Sequence, residues 1–265
     1  MKNRALFPLL EFKNLTVVKG RNKKILDRLS VNIWEGENVA ILGPNGAGKS
    51  SFIKSITREY YPFPGKDCLF RIWGRERWNI FDLRFLLGVV SNDLQYNCTR
   101  EITGMEMVLS GFFSSIGLYN ERISARMKKK AGEVIDFLEV GHLKARKMNE
   151  MSSGEARRFL IGRALVHDPK ALILDEPTVS LDLHSFYKFT NIMRKIAKSG
   201  ISIILVTQNL PDIIPEINRV ILMKSGRIYR DGSKGLILTK NNISRLFNTP
   251  VEIKKKDGYY YALRG

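Results

Sequence analysis

The stretch "NVAILGPNGAGKSSFIKSI", residues 38–56, decides the fold. Val39 to Leu42 are uninterrupted apolar residues, the pattern of a strand covered on both faces. Gly43 to Ser50, "GPNGAGKS", then fit G-x-x-x-x-G-K-[ST], and a helical pattern follows. Strand, glycine-rich loop and helix in that order are the context in which this motif cradles phosphates. Gly43, Gly46 and Gly48 let the backbone close around phosphate oxygens, with Pro44, Asn45 and Ala47 completing the loop. Successive N–H groups then form an anion nest at a helix N-terminus. Lys49 is expected to reach the β- and γ-phosphates, Ser50 to offer its hydroxyl to Mg²⁺, and Ser51 to stand beside it. The competing reading, a chance glycine-rich loop, does not account for the flanking strand and helix.

"ALILDEP", 171–177, supplies a second half-site. An apolar strand delivers Asp175 and Glu176 at its end. Asp175 suits the Mg²⁺ sphere, and Glu176 is placed to activate an attacking water as general base. An acidic pair capping the next helix is the bland alternative. A third run, "SIILVTQ" at 202–208, is another buried strand, ending in the amide of Gln208.

Around these runs the chain reads as α/β: a P-loop core with a mainly parallel sheet, an N-terminal antiparallel β subdomain and an inserted helical subdomain. "LTVV" and "LSVNIW" within residues 9–38 are the antiparallel strands. Residues 92–150 read mostly as helix, with Val134, Ile135, Leu138 and Val140 at near-helical spacing. "RVILMKSGRIYR" gives two further strands, followed by a short helix and "VEIKKKDGYYYAL". The expected organisation is one domain over 1–265. Residues 1–91 and 161–235 form the nucleotide-binding core, 92–160 the helical lobe, and 236–265 a C-terminal extension.

The 265 residues carry a formal net charge of +18. The surplus is +8, +2 and +8 over residues 1–91, 92–160 and 161–265, so it is spread, with local clusters at 21–24, 126–130 and 254–256. Such a distribution suits a solvated surface more than a nucleic-acid groove, and predicts at most weak, salt-sensitive binding. No apolar run approaches the roughly 18–20 residues of a membrane span. Pro8 and Glu11 interrupt the only apolar patch near the start, against a secretory signal. Cys68 and Cys98 form no CxxC pair, so a reducing cytosol is the expected compartment.

Between the two half-sites lies "MSSGEARRFLIGRAL", from Met151. With it the chain resembles the ABC ATPase family over nearly its whole length. Met151 to Glu155 stands where that family has its L-S-G-G-Q signature, and "VSLD" at 179–182 follows the Asp-Glu strand. "SSGE", "SGFFSSIGLY" at 110–119 and the C-terminal extension look closest to the molybdate-transport-type single ATP-binding proteins. The resemblance implies an ATP-hydrolysing subunit working as a homodimer, with two ATP molecules sandwiched between copies. Ser152, Ser153, Gly154 and Glu155 would then meet the ATP held by the partner's phosphate loop, and Asp182 would lie at the dimer seam. The signature is equally a helix N-cap with an acidic first turn, and the same N–H groups serve both roles. The implied partner is a membrane permease on a separate chain, with this subunit peripheral on the cytoplasmic face. A non-transport ATPase acting on nucleic acid or the ribosome is the alternative, as is a slow ATP-binding switch.

The sequence departs from the family at three places. Gln208 stands where a histidine is usual. It can donate a hydrogen bond to the γ-phosphate but cannot carry charge near neutral pH, and it can equally satisfy local backbone groups. Asn92 occupies the register of the family's glutamine loop, with Gln95 three residues on. The aromatic residue expected to stack on adenine is replaced by Lys19, Gly20 and Arg21.

Overall fold

The computed structural model describes residues 7–20, 22–65, 67–91, 101–115, 117–118 and 122–265. They fall into two units, Met1–Ile80 with Ser202–Gly265, and Phe81–Ile201.

In the first unit β1 (Leu10–Lys19) pairs antiparallel with β2 (Lys23–Ile33) on one side and β4 (Leu69–Ile72) on the other. β1 alternates: Leu10, Phe12, Leu15 and Val17 point inward and are buried, with polar residues between. The register shifts between Phe12 and Leu15, where Asn14 takes a positive φ of 50°. Phe12 meets the ring of Phe52 edge-on at 5.7 Å and that of Phe70 at 5.0 Å, which joins the antiparallel layer to the helix after the glycine-rich loop. β4 was not foreseen. It is four residues long with Arg71 at its centre, too short to show a period.

β3 (Val39–Leu42) runs parallel to both β7 (Ser202–Thr207) and β8 (Arg219–Lys224), and β9 (Arg227–Ser233) turns back antiparallel on β8. Every residue of β3 and β7 is buried, as expected for strands covered on both faces. α1 (Lys49–Ile56) follows β3. The unit closes with α7 (Lys234–Ile237), α8 (Lys240–Phe247) and a hairpin of β10 (Val251–Lys256) and β11 (Tyr259–Arg264). Asp257 and Gly258, at φ 51° and 82°, make its turn, the conformation an Asp-Gly pair favours because both residues need positive φ.

The second unit holds α2 (Ile80–Leu86), which starts at the boundary, then β5 (Leu87–Val90), α3 (Gly104–Ser110), α4 (Ala125–Phe137), α5 (Ser153–Leu165), β6 (Ala171–Asp175) and α6 (Leu183–Lys198). β5 and β6 are parallel. α5 is its central helix, buried on nearly every side, with Phe159 and Ile161 fully enclosed. A Cβ on Gly104 would lie 2.5 Å from the Phe159 ring, so α3 approaches α5 at backbone distance. The expected α/β P-loop architecture, with its antiparallel β layer and helical insert, is present.

Candidate functional site

The phosphate loop lies between β3 and α1. Gly46 and Gly48 have φ of 77° and 100°, a region costly to other residues. A Cβ on Gly43 would meet the Met223 carbonyl oxygen at 2.4 Å, and one on Gly48 the Ile25 carbonyl at 3.0 Å. The loop is also tied by backbone bonds. The Gly43 N–H donates to the Thr207 carbonyl at 3.3 Å, and the Gly226 N–H donates to the Ala47 carbonyl at 2.9 Å. Within the loop the Ala47 N–H donates to the Pro44 carbonyl at 3.1 Å. Lys49 is 4% exposed. Its ammonium lies across the loop, donating to the carbonyls of Gly43 at 2.8 Å and Pro44 at 3.2 Å. Asn45, Gly46 and Ser50 face outward, and Ser51 is half-buried.

Gln208 stands next to this loop, since the bond from Gly43 ends on the residue before it. Its backbone is braced from below. The Thr207 hydroxyl donates to the carboxylate of Asp212, which is 1% exposed, and accepts the Asn209 N–H at 2.9 Å. Gln208 itself is half-buried.

Asp175, Glu176, the signature and Asp182 all belong to the second unit. Asp175 ends β6, and Glu176 has a positive φ of 46°, so the chain turns sharply after the strand. The turn is held by Arg157 of α5, which is 4% exposed. Its guanidinium donates to the Pro177 carbonyl and to the Val179 carbonyl, the latter at 3.1 Å. The Ser153 hydroxyl donates to the Ser180 carbonyl at 3.0 Å.

Ser152 caps α5 in a reciprocal pair. The Glu155 N–H donates to the Ser152 hydroxyl at 3.3 Å, and the Ser152 N–H donates to the Glu155 carboxylate at 2.9 Å. Asp182 caps α6, accepting the Ser185 N–H at 2.7 Å. A Cβ on Gly154 would lie 2.6 Å from that of Ser185, so the two helix N-termini meet. Between them is a cavity of about 180 Å³, with Arg158, His184 and Lys188 also on its wall. The two helix N-termini, with Arg158 and Lys188, present positive potential to it, and the Glu155 and Asp182 carboxylates on the same wall oppose that. Glu155 is held below the usual carboxylate range first by the Ser152 N–H, and Asp182 first by the Ser185 N–H. Their contribution to stability is therefore present above the unfolded-state pKa values and is lost as pH falls through the lower folded ones.

Asn92, Gln95 and Arg21 lie outside the described residues. Lys19 is exposed at the end of β1, and Gly20 turns the chain at φ 64°. Among the described residues, no group of three or more His, Cys, Asp or Glu gathers to hold a metal. Sequence reasoning missed Thr207, Asp212, Arg157 and Gly226. Arg157, Gly226 and the Thr207 carbonyl act through long-range contacts that local spacing does not encode, and the Thr207–Asp212 pair spans five residues without matching a motif.

The ABC transporter family model matches residues 26–179. The chain is 32% identical over 248 residues to the uncharacterized ABC transporter ATP-binding protein YlmA of Bacillus subtilis, covering 92% of this chain and 93% of YlmA. It is 26% identical to cbiO1 of Clostridium perfringens, part of the ABC transporter complex cbiONQ, with a TM-score of 0.76 over 91% of this chain and 95% of that one. A dimeric post-hydrolysis state of an ATP-binding cassette bound to ADP and Pi is 26% identical, with a TM-score of 0.70 over 84% and 98%.

The brace on the Glu176 turn gives a direct test. Arg157→Met keeps the bulk and removes the charged donor. Each lost bond to a charged group is worth about 1.5–3 kcal/mol. Urea unfolding is expected to show a loss of at least that size, with hydrolysis falling at temperatures where the variant remains folded. Unchanged stability and rate would show that the turn does not depend on Arg157.

Proposed function

This chain belongs to the ABC transporter family of ATP-binding proteins, and from that premise we propose that it is the ATP-hydrolysing subunit of a transport system, driving a permease carried on a separate chain. The observation that carries the proposal is the built phosphate loop: left-handed glycines, a buried lysine laid across it, and a strand-end amide beside it. Among the described residues no helix is long and apolar enough to cross a membrane, so a transport role requires a membrane partner. The similarity to cbiO1, itself part of a transporter complex, supports that arrangement. The same reading places the subunit at a membrane, peripheral on its cytoplasmic face.

ATP is the substrate, and Gly43 to Ser51 are its phosphate site. Mg²⁺ would be held by the Ser50 hydroxyl and Asp175. A hydroxyl and one carboxylate suit this ion, which takes the rest of its shell from waters and substrate phosphates, and a dedicated cluster of acids is not needed. When bound, the ion would neutralise charge on the transferred phosphoryl group. Glu176 would take the proton of the attacking water. Gln208 would donate its amide hydrogen to the γ-phosphate, and Asn92 or Gln95 would fill the glutamine-loop position.

The working unit would be a homodimer. The paired N-termini of α5 and α6, with Ser152, Gly154 and Asp182, would then receive the γ-phosphate of the ATP held by the other copy. The division into core, helical lobe and C-terminal extension at 1–91 and 161–235, 92–160 and 236–265 belongs to the same proposal. The resemblance to the molybdate-transport-type proteins rests on "SSGE", residues 110–119 and the extension; the relatives described above carry other names, and the cargo is not assigned.

Lys49→Ala is expected to weaken ATP-Mg²⁺ binding by about 1.5–3 kcal/mol, the scale of a charge-assisted bond. Glu176→Gln is expected to keep that affinity and lower hydrolysis by on the order of 10²–10⁴. Calorimetry and a phosphate-release assay on the two variants check both; equal affinity in the first, or a wild-type rate in the second, rejects the assignment.

Gln208 contributes a neutral bond where histidine would give a charged one, and charge-assisted bonds are roughly twice as strong. Gln208→His is therefore expected to raise turnover by up to roughly tenfold, about 1.4 kcal/mol, and to add a pH dependence near neutrality. Gln208→Ala is expected to slow hydrolysis at unchanged ATP affinity. Steady-state rates across about pH 6 to 8.5 decide it: identical rates and profiles would reduce Gln208 to a strand-end amide.

A further inference from the structure

The C-terminal extension, residues 236–265, carries six basic and two acidic residues, so it is a local concentration in a chain whose charge is otherwise spread. Folding sharpens it. In the β10–β11 hairpin Lys254 lies opposite Tyr261, Lys255 opposite Tyr260, and Lys256 opposite Tyr259. Directly opposed residues of an antiparallel pair share a face, and faces alternate along the strand. One face therefore holds Lys254, Lys256, Tyr259, Tyr261 and Leu263, together with Glu252. The other face holds Tyr260, which is only 7% exposed.

Tyr260 fixes which face looks outward. Its ring lies 5.9 Å from the ammonium of Lys234, which donates to the carbonyls of Pro215 at 3.1 Å and Ile214 at 3.2 Å. A Cβ on Gly258 would lie 3.1 Å from Pro215, so the hairpin turn is seated on the same loop. Lys254 and Lys256 are exposed, and Tyr259 and Tyr261 are half-buried. The acids are accounted for: Glu252 pairs with Lys240, and Asp257 is in the turn.

We propose that this outward face of the hairpin binds single-stranded nucleic acid without sequence preference. Two tyrosines two residues apart on one strand stand roughly 6.6–6.8 Å from each other along it. Successive bases of an extended strand can stack on rings so placed, and every base offers a π-face. Each tyrosine has a lysine directly across, about 5 Å away, to meet the phosphate. A sheet surface with aromatic residues for bases and lysines for phosphates is a recurring solution for single strands. An anionic membrane fits less well. Tyr259 and Tyr261 are half-buried, which leaves Leu263, at 41% exposure, as the face's one large exposed apolar side chain.

The test uses the full chain, a fluorescent oligothymidylate of about 12 nucleotides, within the usual site size, and anisotropy over a salt series. Two lysine–phosphate contacts predict that Lys254→Ala with Lys256→Ala flattens the salt slope by about 1.4, from roughly 0.7 per phosphate on single strands. Tyr261→Ala is expected to weaken binding about 5- to 150-fold, the range of one lost base stack, while Tyr261→Phe retains it. ATP hydrolysis is expected to be unchanged in all three variants, which shows them folded. Three outcomes would overturn the proposal: no binding of the oligonucleotide by the wild type, equal binding by Tyr261→Ala, or capture of the chain by phosphatidylserine vesicles but not by the oligonucleotide.

Discussion

The phosphate loop is shaped from behind. Its first glycine is hydrogen-bonded to the end of β7, and its Ala47 carbonyl to Gly226 at the turn between β8 and β9. Gly226 has φ of 75°, and a Cβ there would fall 2.6 Å from the Ile25 carbonyl oxygen. The Asp27 N–H donates to the Gly226 carbonyl at 3.0 Å. Three segments distant in sequence thus meet at one glycine and fix the path of the loop's backbone. The site's electrostatics follow from that path, because an anion nest is a matter of where N–H groups point.

The same logic of support at a distance governs the other half-site. Glu176 sits in a left-handed turn, a conformation that costs of order 1–3 kcal/mol for a residue with a side chain and persists only where its surroundings impose it. Arg157 and Ser153 impose it from the first turns of α5. The helix whose N-terminus carries Ser152 to Glu155 is therefore also the helix that holds the turn at Glu176.

Much of this was legible in the sequence where the rule is local. The apolar runs of β3, β6 and β7, the glycine spacing of the loop, and the Ser152–Glu155 cap each depend on residues within a few positions of one another. β4 escaped because four residues with a central arginine carry no readable period. Arg157 and Gly226 escaped because their partners lie elsewhere in the chain, and Thr207 with Asp212 because their bond, though it spans only five residues, belongs to no periodic pattern or motif. The lysine run at 254–256 was visible as charge. Its pairing with three tyrosines was not, since that depends on the hairpin's register. The two glutamine-loop candidates, Asn92 and Gln95, fall outside the described residues.

The central claim is that the nucleotide site depends on contacts behind the loop as much as on residues in it. Gly226→Ala tests it, because residue 226 is not part of the phosphate motif. Gly200, at φ 95° with nothing within 4 Å of a new Cβ, is the control for backbone strain alone. Calorimetry of ATP-Mg²⁺ on both variants, each verified as folded by circular dichroism, is the measurement. The account predicts a loss of affinity in Gly226→Ala of at least about 1.4 kcal/mol, a factor of ten, and wild-type affinity in Gly200→Ala. Equal, undiminished affinity in both would contradict it.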